Sequence, residues 1–266
     1  MNSKNLLKTI IPIVIVIIGI IEIYIFIKQR EPFEDTYTVD LVIARYKESL
    51  DYFEKMKNYP LRNVYIYNKS GKHYECPAFF KNCSVVDLPN VGVCDHTYLY
   101  HIITQFNDIP NMTIFLPASV NAVDYKRDKI DTILKRVFED KSPVISAYRL
   151  PDGITTYTDK NLNDFSVKSW EVSDKTNRDS ADITLVEANP RPFGKWYRKY
   201  FPDKNVSSVS LMGMFAVTRN MIHDNPLNLY KDLMDTLTND KFPEAAHYME
   251  RSWSTLFRDI PIENNI

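Results

Sequence analysis

The sequence predicts an α/β domain with a mainly parallel central sheet, preceded by one membrane-spanning helix. Three observations lead there. Short apolar runs alternate along the chain with stretches of helical spacing, the pattern of a parallel sheet flanked by helices. One apolar run near the start, Thr9 to Ile27, is too long for a strand and apolar on every side. No internal repeat or low-complexity linker interrupts the chain beyond it.

The first element is the membrane helix. Its nineteen residues are broken only by Gly19 and Glu22, and at about 1.5 Å per residue they span roughly 28 Å, the hydrocarbon thickness of a bilayer. A cleaved signal peptide is the alternative, but no small-x-small site comes after the run. Lys4 and Lys8 precede it; Lys28 and Arg30 come after it. With the basic count balanced, the short leading tail sets the expectation of an inside N-terminus. That makes the chain a single-pass, type II protein with its domain lumenal or extracellular. The expected layout is a tail over 1–8, the anchor over 9–27, a polar stem over 28–38, the domain over 39–258 and a tail over 259–266.

Within the domain, Val39 to Ala44 is a compact apolar run and reads as a buried strand. Leu50, Phe53 and Met56 share one face of a helix over 48–57. Asn63 to Tyr67 is a second strand closed by the turn signal Asn68-Lys-Ser-Gly71, and Val85-Val86 a short third. Asp95 reads as the N-cap of a helix running to about Phe106. Asn111 to Leu116 is another strand, and Tyr125 to Phe138 a helix with Ile130, Ile133, Leu134 and Val137 inward. The middle, 139–192, has little periodicity and predicts loops and short strands. Val209 to Val217 returns as a strand. Helices over 228–237 and 243–257 close the domain, with Pro243 suited to a first helical turn.

Composition narrows the function classes. Net charge is −1, and no nucleic-acid motif occurs. Only six glycines are present, which argues against a glycine-rich phosphate loop. No P-loop, G-x-S-x-G, H-E-x-x-H or C-x-x-C occurs. Cys76, Cys83 and Cys94 fit no zinc spacing; the first two flank a short loop and either pair in an oxidising lumen or, with Cys94, stay as unlinked thiols. Four N-x-S/T sequons, at Asn68, Asn82, Asn111 and Asn205, can take glycans on the lumenal side.

Ligands of parallel sheets bind beyond the carboxyl ends of the strands. Four clusters are candidates. Arg45 and Tyr46 come directly after the first strand, where a cation and a ring can hold a phosphate and a base, or simply make a surface turn. Asn90, Asp95 and His96 lead into a helix N-terminus, which favours an anion, or are only its cap and first turn. Arg191 and Lys195 alternate with aromatic residues, as a diphosphate site would, or as the wet face of an amphipathic helix. Glu244, His247, Glu250 and Arg251 share one face of the closing helix, either as a site or as a salt-bridged exposed face.

Several of these segments together resemble a known family: Val42-Ile-Ala-Arg-Tyr-Lys-Glu-Ser-Leu50, Val64-Tyr-Ile-Tyr-Asn-Lys69, Asn90-Val-Gly92, His96-Thr-Tyr-Leu-Tyr-His-Ile-Ile103, Thr113-Ile-Phe-Leu116, Gly213-Met-Phe-Ala-Val-Thr-Arg219 and His247-Tyr-Met-Glu-Arg-Ser-Trp253. It is a family of uncharacterised proteins of fungi, algae and large DNA viruses. Gly213 to Arg219 and Glu250-Arg-Ser-Trp-Ser-Thr-Leu256 are also similar to segments of the core-two and I-branching N-acetylglucosaminyltransferases, with Thr218 where that group has Ser. The second likeness implies a GT-A, Rossmann-like fold, a nucleotide-sugar donor and a glycan acceptor. Glu250 is then the general base, and Arg45, Arg191 and Lys195 stabilise the diphosphate, with Tyr46, Asn90, Asp95, His96, His247 and Arg251 as further donor contacts. Asp-x-Asp, the usual metal motif of GT-A enzymes, is absent from the chain. The expected chemistry therefore needs no metal or other cofactor, as in some members of the branching group. A catalytically silent glycan- or protein-binding domain, or a structural membrane or virion protein, is the alternative.

Overall fold

In the computed structural model, residues 37–149, 156–157, 160–167, 186–206, 208–257 and 260–263 are described. The tail over 1–8, the expected anchor over 9–27 and all but the last two residues of the stem lie outside them. Among the described residues no helix is long and apolar enough to cross a membrane.

In chain order the elements are β1 (Val39–Arg45), β2 (Asn63–Asn68), β3 (Cys83–Asp87), α1 (Val93–Gln105), β4 (Met112–Pro117), α2 (Asp124–Phe138), β5 (Val144–Arg149), β6 (Thr156–Tyr157), β7 (Lys160–Asn161), α3 (Phe193–Tyr200), β8 (Ser208–Thr218), α4 (Arg219–His223), α5 (Leu227–Asp235), α6 (Glu244–Leu256) and β9 (Ile262–Glu263). Among them, seven strands form one sheet in the order β3-β2-β1-β4-β8-β5-β9, and β6 and β7 make a separate hairpin. β1 runs parallel to both β2 and β4, and β2 to β3. β8 alone runs against its neighbours, β4 and β5. The sheet is mainly parallel, as the alternating pattern predicts.

β1 and β4 are buried along nearly their whole length, which is why they read as unbroken apolar runs and not as alternating ones. At the amino end of the sheet, buried Asp40 accepts Arg62 Nη2 at 2.7 Å, Arg62 Nε at 2.9 Å and the Asn63 N–H at 3.1 Å, fixing β2 against β1. Arg219 lies at this same end, its N–H donating to the Asn111 carbonyl and its Nε to that of Ile109. The core is aromatic. Phe215 of β8 packs on Phe115 at 4.9 Å between centroids and on Trp253 of α6 at 5.0 Å, and Trp253 stacks on Phe257. Each such ring is worth about 1.5–3 kcal/mol of burial.

Several expectations are corrected. The Leu50, Phe53, Met56 face belongs to a 3-10 turn over Asp51–Met56; a strict spacing of three is the period of that helix. Asp95 does not cap α1. The N-cap is Gly92, at φ 57, and Asp95 lies inside the first turn. Pro243 is the residue before α6 and not its first helical residue. β5, by contrast, is one of the short strands expected within 139–192, and α3 lies past that stretch, over the segment that reads as an amphipathic helix. The closing helix has no solvated salt-bridge face at its start, since Glu244 is completely buried.

Cys76 and Cys83 form a disulfide, and Cys94 is the free thiol. The bridge closes a short loop, so replacing both cysteines by serine should lower the unfolding free energy by only about 2 kcal/mol. Thiol titration of the unfolded, unreduced protein should find one reactive group, and three after reduction. Three without reduction would show the bridge absent.

Candidate functional site

β1, β2, β3 and β4 end at Arg45, Asn68, Asp87 and Pro117 on one side of the sheet. Because β8 is antiparallel to β4, with Phe215 opposite Phe115, the residues just before Phe215 lie at the carboxyl end of β4. There β8 bulges. Met212 and Gly213 both have positive φ, 73° and 63°, and the register with β5 shifts between Ile145 and Ala147. A Cβ on Gly213 would sit 2.8 Å from Cys94 Sγ, so only glycine fits. The Gly213 carbonyl accepts the Tyr98 hydroxyl at 2.8 Å.

The bulge presents its free N–H to α6. Met212 N–H donates to Glu250 Oε1 at 2.9 Å, and Ser210 Oγ donates to the Glu250 carbonyl at 2.6 Å. The other carboxylate oxygen, Oε2, lies 3.8 Å from Arg251 Nη1, and 27% of the Glu250 side chain is exposed. One oxygen is thus held by the backbone while the side chain still reaches solvent at the carboxyl end of the sheet. A carboxylate so placed can take a proton from a bound hydroxyl.

Behind Glu250 lies a buried polar group of residues. Asp95, 2% exposed, accepts the Trp253 indole N–H at 2.6 Å. Burial, then the negative charge of Glu250, pushes its carboxyl up to about 8, against the opposing effects of Trp253 and Lys69. Lys69, just past β2, is buried; its ammonium donates to the Val91 carbonyl at 2.6 Å and to that of Val93. Burial brings it down to about 8. The Cys94 thiol is pushed up by burial, Asp95 and Glu250. His96 is buried, its Nδ1 has no partner among the described residues, and burial with Lys69 nearby lowers it to about 4, so it is neutral.

The start of α1 is not an open anion site. Gly92 N–H donates to the Asp240 carbonyl at 2.9 Å, and Val93 N–H to that of Lys241 at 3.3 Å. A Cβ on Gly92 would collide with Leu237 at 2.7 Å. The loop before α6 covers this helix end and takes two of the N–H groups an anion would use. Asn90 is half-buried in the loop that leads in.

On the β1–β3 side, Arg45 stacks over the Tyr74 ring at 3.6 Å. Its Nη1 donates to Asn68 Oδ1 at 2.9 Å and its Nε to the Glu48 carbonyl at 2.9 Å. Tyr46 is half-buried, its N–H held by Glu48 Oε2 at 2.7 Å. Asn68 is fully buried, and its Nδ2 donates to Asp87 Oδ1 at 2.6 Å and the Lys72 carbonyl at 2.7 Å. That nitrogen has no room for a glycan in the folded domain, which removes the first sequon. Asn82 and Asn205 are exposed, and Asn111 is half-buried with its Oδ1 accepting from Thr38.

The other basic candidates have structural employment. Arg191 Nε donates to the Glu244 carboxylate at 3.1 Å, its Nη2 to the Val167 carbonyl at 2.9 Å, and its Nη1 to Glu187. Glu244 also accepts the Val167 N–H at 2.7 Å and the Ala188 N–H at 3.0 Å. Arg191 is therefore a clamp on Glu244. Lys195 is exposed on α3, whose Phe193, Trp196 and Tyr197 are buried, the amphipathic reading of that segment. Arg251 lies over the Phe165 ring at 4.1 Å and donates to the His247 carbonyl at 2.8 Å. Burial, then Arg251, lowers His247 to about 4. Among the described residues no cluster of three His, Cys, Asp or Glu side chains could hold a metal.

Sequence reasoning missed Lys69 and the pairing of Asp95 with Trp253. A lysine in the turn directly after a buried strand was the available signal for the first.

A family profile described as "Protein of unknown function (DUF3431)" matches residues 41–264. No curated protein matches the chain.

Proposed function

The chain belongs to the DUF3431 family, and on that footing we propose that it is a membrane-anchored transferase moving a sugar from a nucleotide-sugar donor to a hydroxyl acceptor. The observation that carries this reading is Glu250, held by the β8 bulge and partly open to solvent at the carboxyl end of the sheet. Glu250 takes the acceptor's proton as the acceptor oxygen bonds to the anomeric carbon. The bond to the leaving oxygen breaks, and the nucleoside diphosphate departs with its electron pair. Arg45, stacked on Tyr74 at the end of β1, is the cation we assign to offset that charge.

The lack of an Asp-x-Asp motif supports a reaction independent of metal. The Cys76–Cys83 bridge supports a domain facing an oxidising lumen or the exterior, beyond the anchor expected at 9–27. A second reading is a catalytically silent glycan-binding domain, favoured by the commitment of Arg191 to Glu244.

The test is a panel of nucleotide-sugar donors offered to the full-length protein in detergent, with and without EDTA. One donor should be hydrolysed or transferred, equally in both conditions. Loss of turnover with EDTA would refute metal independence. No turnover with any donor, from protein that binds a glycan, would favour the silent reading.

A further inference from the structure

The proposed transfer leaves one buried acid unused. Asp95 is 2% exposed, and its Oδ1 accepts the Trp253 indole N–H at 2.6 Å. Trp253 is one helical turn beyond Glu250 on α6, so this bond sets the roll of that turn against α1. Trp253 is itself fully buried against Tyr98, Phe215 and Phe257. Moving Asp95 would move the helix that carries Glu250.

The groups facing Asp95 are Glu250 from α6, Lys69 from the end of β2, and Cys94 and Tyr98 from α1 itself, with Lys126 of α2 acting on Cys94. Two carboxylates that feel each other's charge in a dry setting do not both ionise readily. Glu250 has the Met212 N–H, Arg251 within 3.8 Å and partial access to water. Asp95 has burial and a lysine whose ammonium is already committed to two backbone carbonyls. The proton therefore belongs on Asp95.

We propose that Asp95 is a positioning residue that works as a neutral acid: it holds Trp253, and through it the α6 turn bearing Glu250. Its role in catalysis rests on Glu250 being the base; its protonation does not.

The experiment tracks the Trp253 indole N–H resonance with pH in the full-length protein in detergent, assigned with Trp253→Phe. In the wild type it should titrate with a midpoint near 8, in line with the upward shift of Asp95. In Asp95→Asn the resonance should persist, because the amide oxygen still accepts, but no longer titrate. In Glu250→Gln the midpoint should fall, because the neighbouring charge that raises it is gone. A resonance flat from pH 5 to 9 or so, or titrating below about 5, would overturn the proposal, as would an unchanged midpoint in Glu250→Gln. Should Asp95→Asn fail to fold, the other two proteins still decide the matter. Neither readout needs turnover, so a failed donor screen would leave this result standing.

Stability gives a second check. Asp95's folded value lies above its unfolded 3.8, so between about 4 and about 8 the native state holds more protons than the unfolded one. Stability from this group falls as pH rises through that window and levels off above it. Asp95→Asn should flatten the slope; a slope equal to wild type would count against the buried proton.

Discussion

Glu250→Gln should lose transfer by roughly 10²- to 10⁴-fold while donor binding and melting temperature stay where they are. The amide is the same shape as the carboxylate, and its oxygen can still accept the Met212 N–H, so the β8 bulge is kept. What it lacks is basicity. Glu250→Ala provides the contrast. It removes the acceptor of Met212 N–H and should cost stability, on the order of 1 kcal/mol for a partly solvated site. If Glu250 served only to hold the bulge, the order would reverse: Ala would do damage and Gln would turn over like the wild type. Steady-state rates and thermal unfolding of the two variants separate the roles, and wild-type turnover in Glu250→Gln would end the base assignment.

The largest loss of stability is expected from Glu244→Ala. This carboxylate is 0% exposed and takes two backbone N–H groups, from Val167 and Ala188, as well as Arg191. Truncation leaves those donors buried without an acceptor and leaves the guanidinium only the exposed Glu187 as counter-charge. Removing one partner of a buried ion pair costs about 3–5 kcal/mol, which for a domain of this size lowers the melting temperature on the order of 10 °C. Arg191→Ala should cost less, since 29% of that side chain is exposed and the carboxylate keeps its two backbone donors. A melting temperature within about 2 °C of wild type for Glu244→Ala would show that the clamp contributes little.

The strands are readable in the sequence because their burial is local information. β1 and β4 are covered on both faces, so their apolar runs are continuous, and the turn residues after β2 mark its end. α1 is found where a helix is expected, but its start and its cap both lie three residues earlier. Asp95 has the residue type and position of an N-cap; its partner is Trp253, 158 residues away, and no local pattern announces that. Arg191 fails in the same way. A basic residue beside aromatics suits a phosphate, but its acidic partner Glu244 is 53 residues on. β5 is invisible to periodicity because Ser146, Tyr148 and Arg149 break its apolar run. Spacing alone puts Glu244, Glu250 and Arg251 on one exposed face; the fold buries the first and the last and opens the middle one in part. Glu250 stands out by a resemblance in sequence and not by spacing.

The Glu244 clamp has a consequence for how the domain tolerates change. Val167 on one side and Val186 to Ala188 on the other are fastened to the first residue of α6, through the Glu244 carboxylate and through its N–H, which donates to the Val186 carbonyl at 2.9 Å. Val167 and Ala188, 21 residues apart in the chain, are thereby held at one point by a single carboxylate. The closure cost of bringing two such points together grows only slowly with the number of residues between them. Glu244 is accordingly a joint between two stretches distant in sequence, and a change at that one residue should loosen Val167 and Ala188 together.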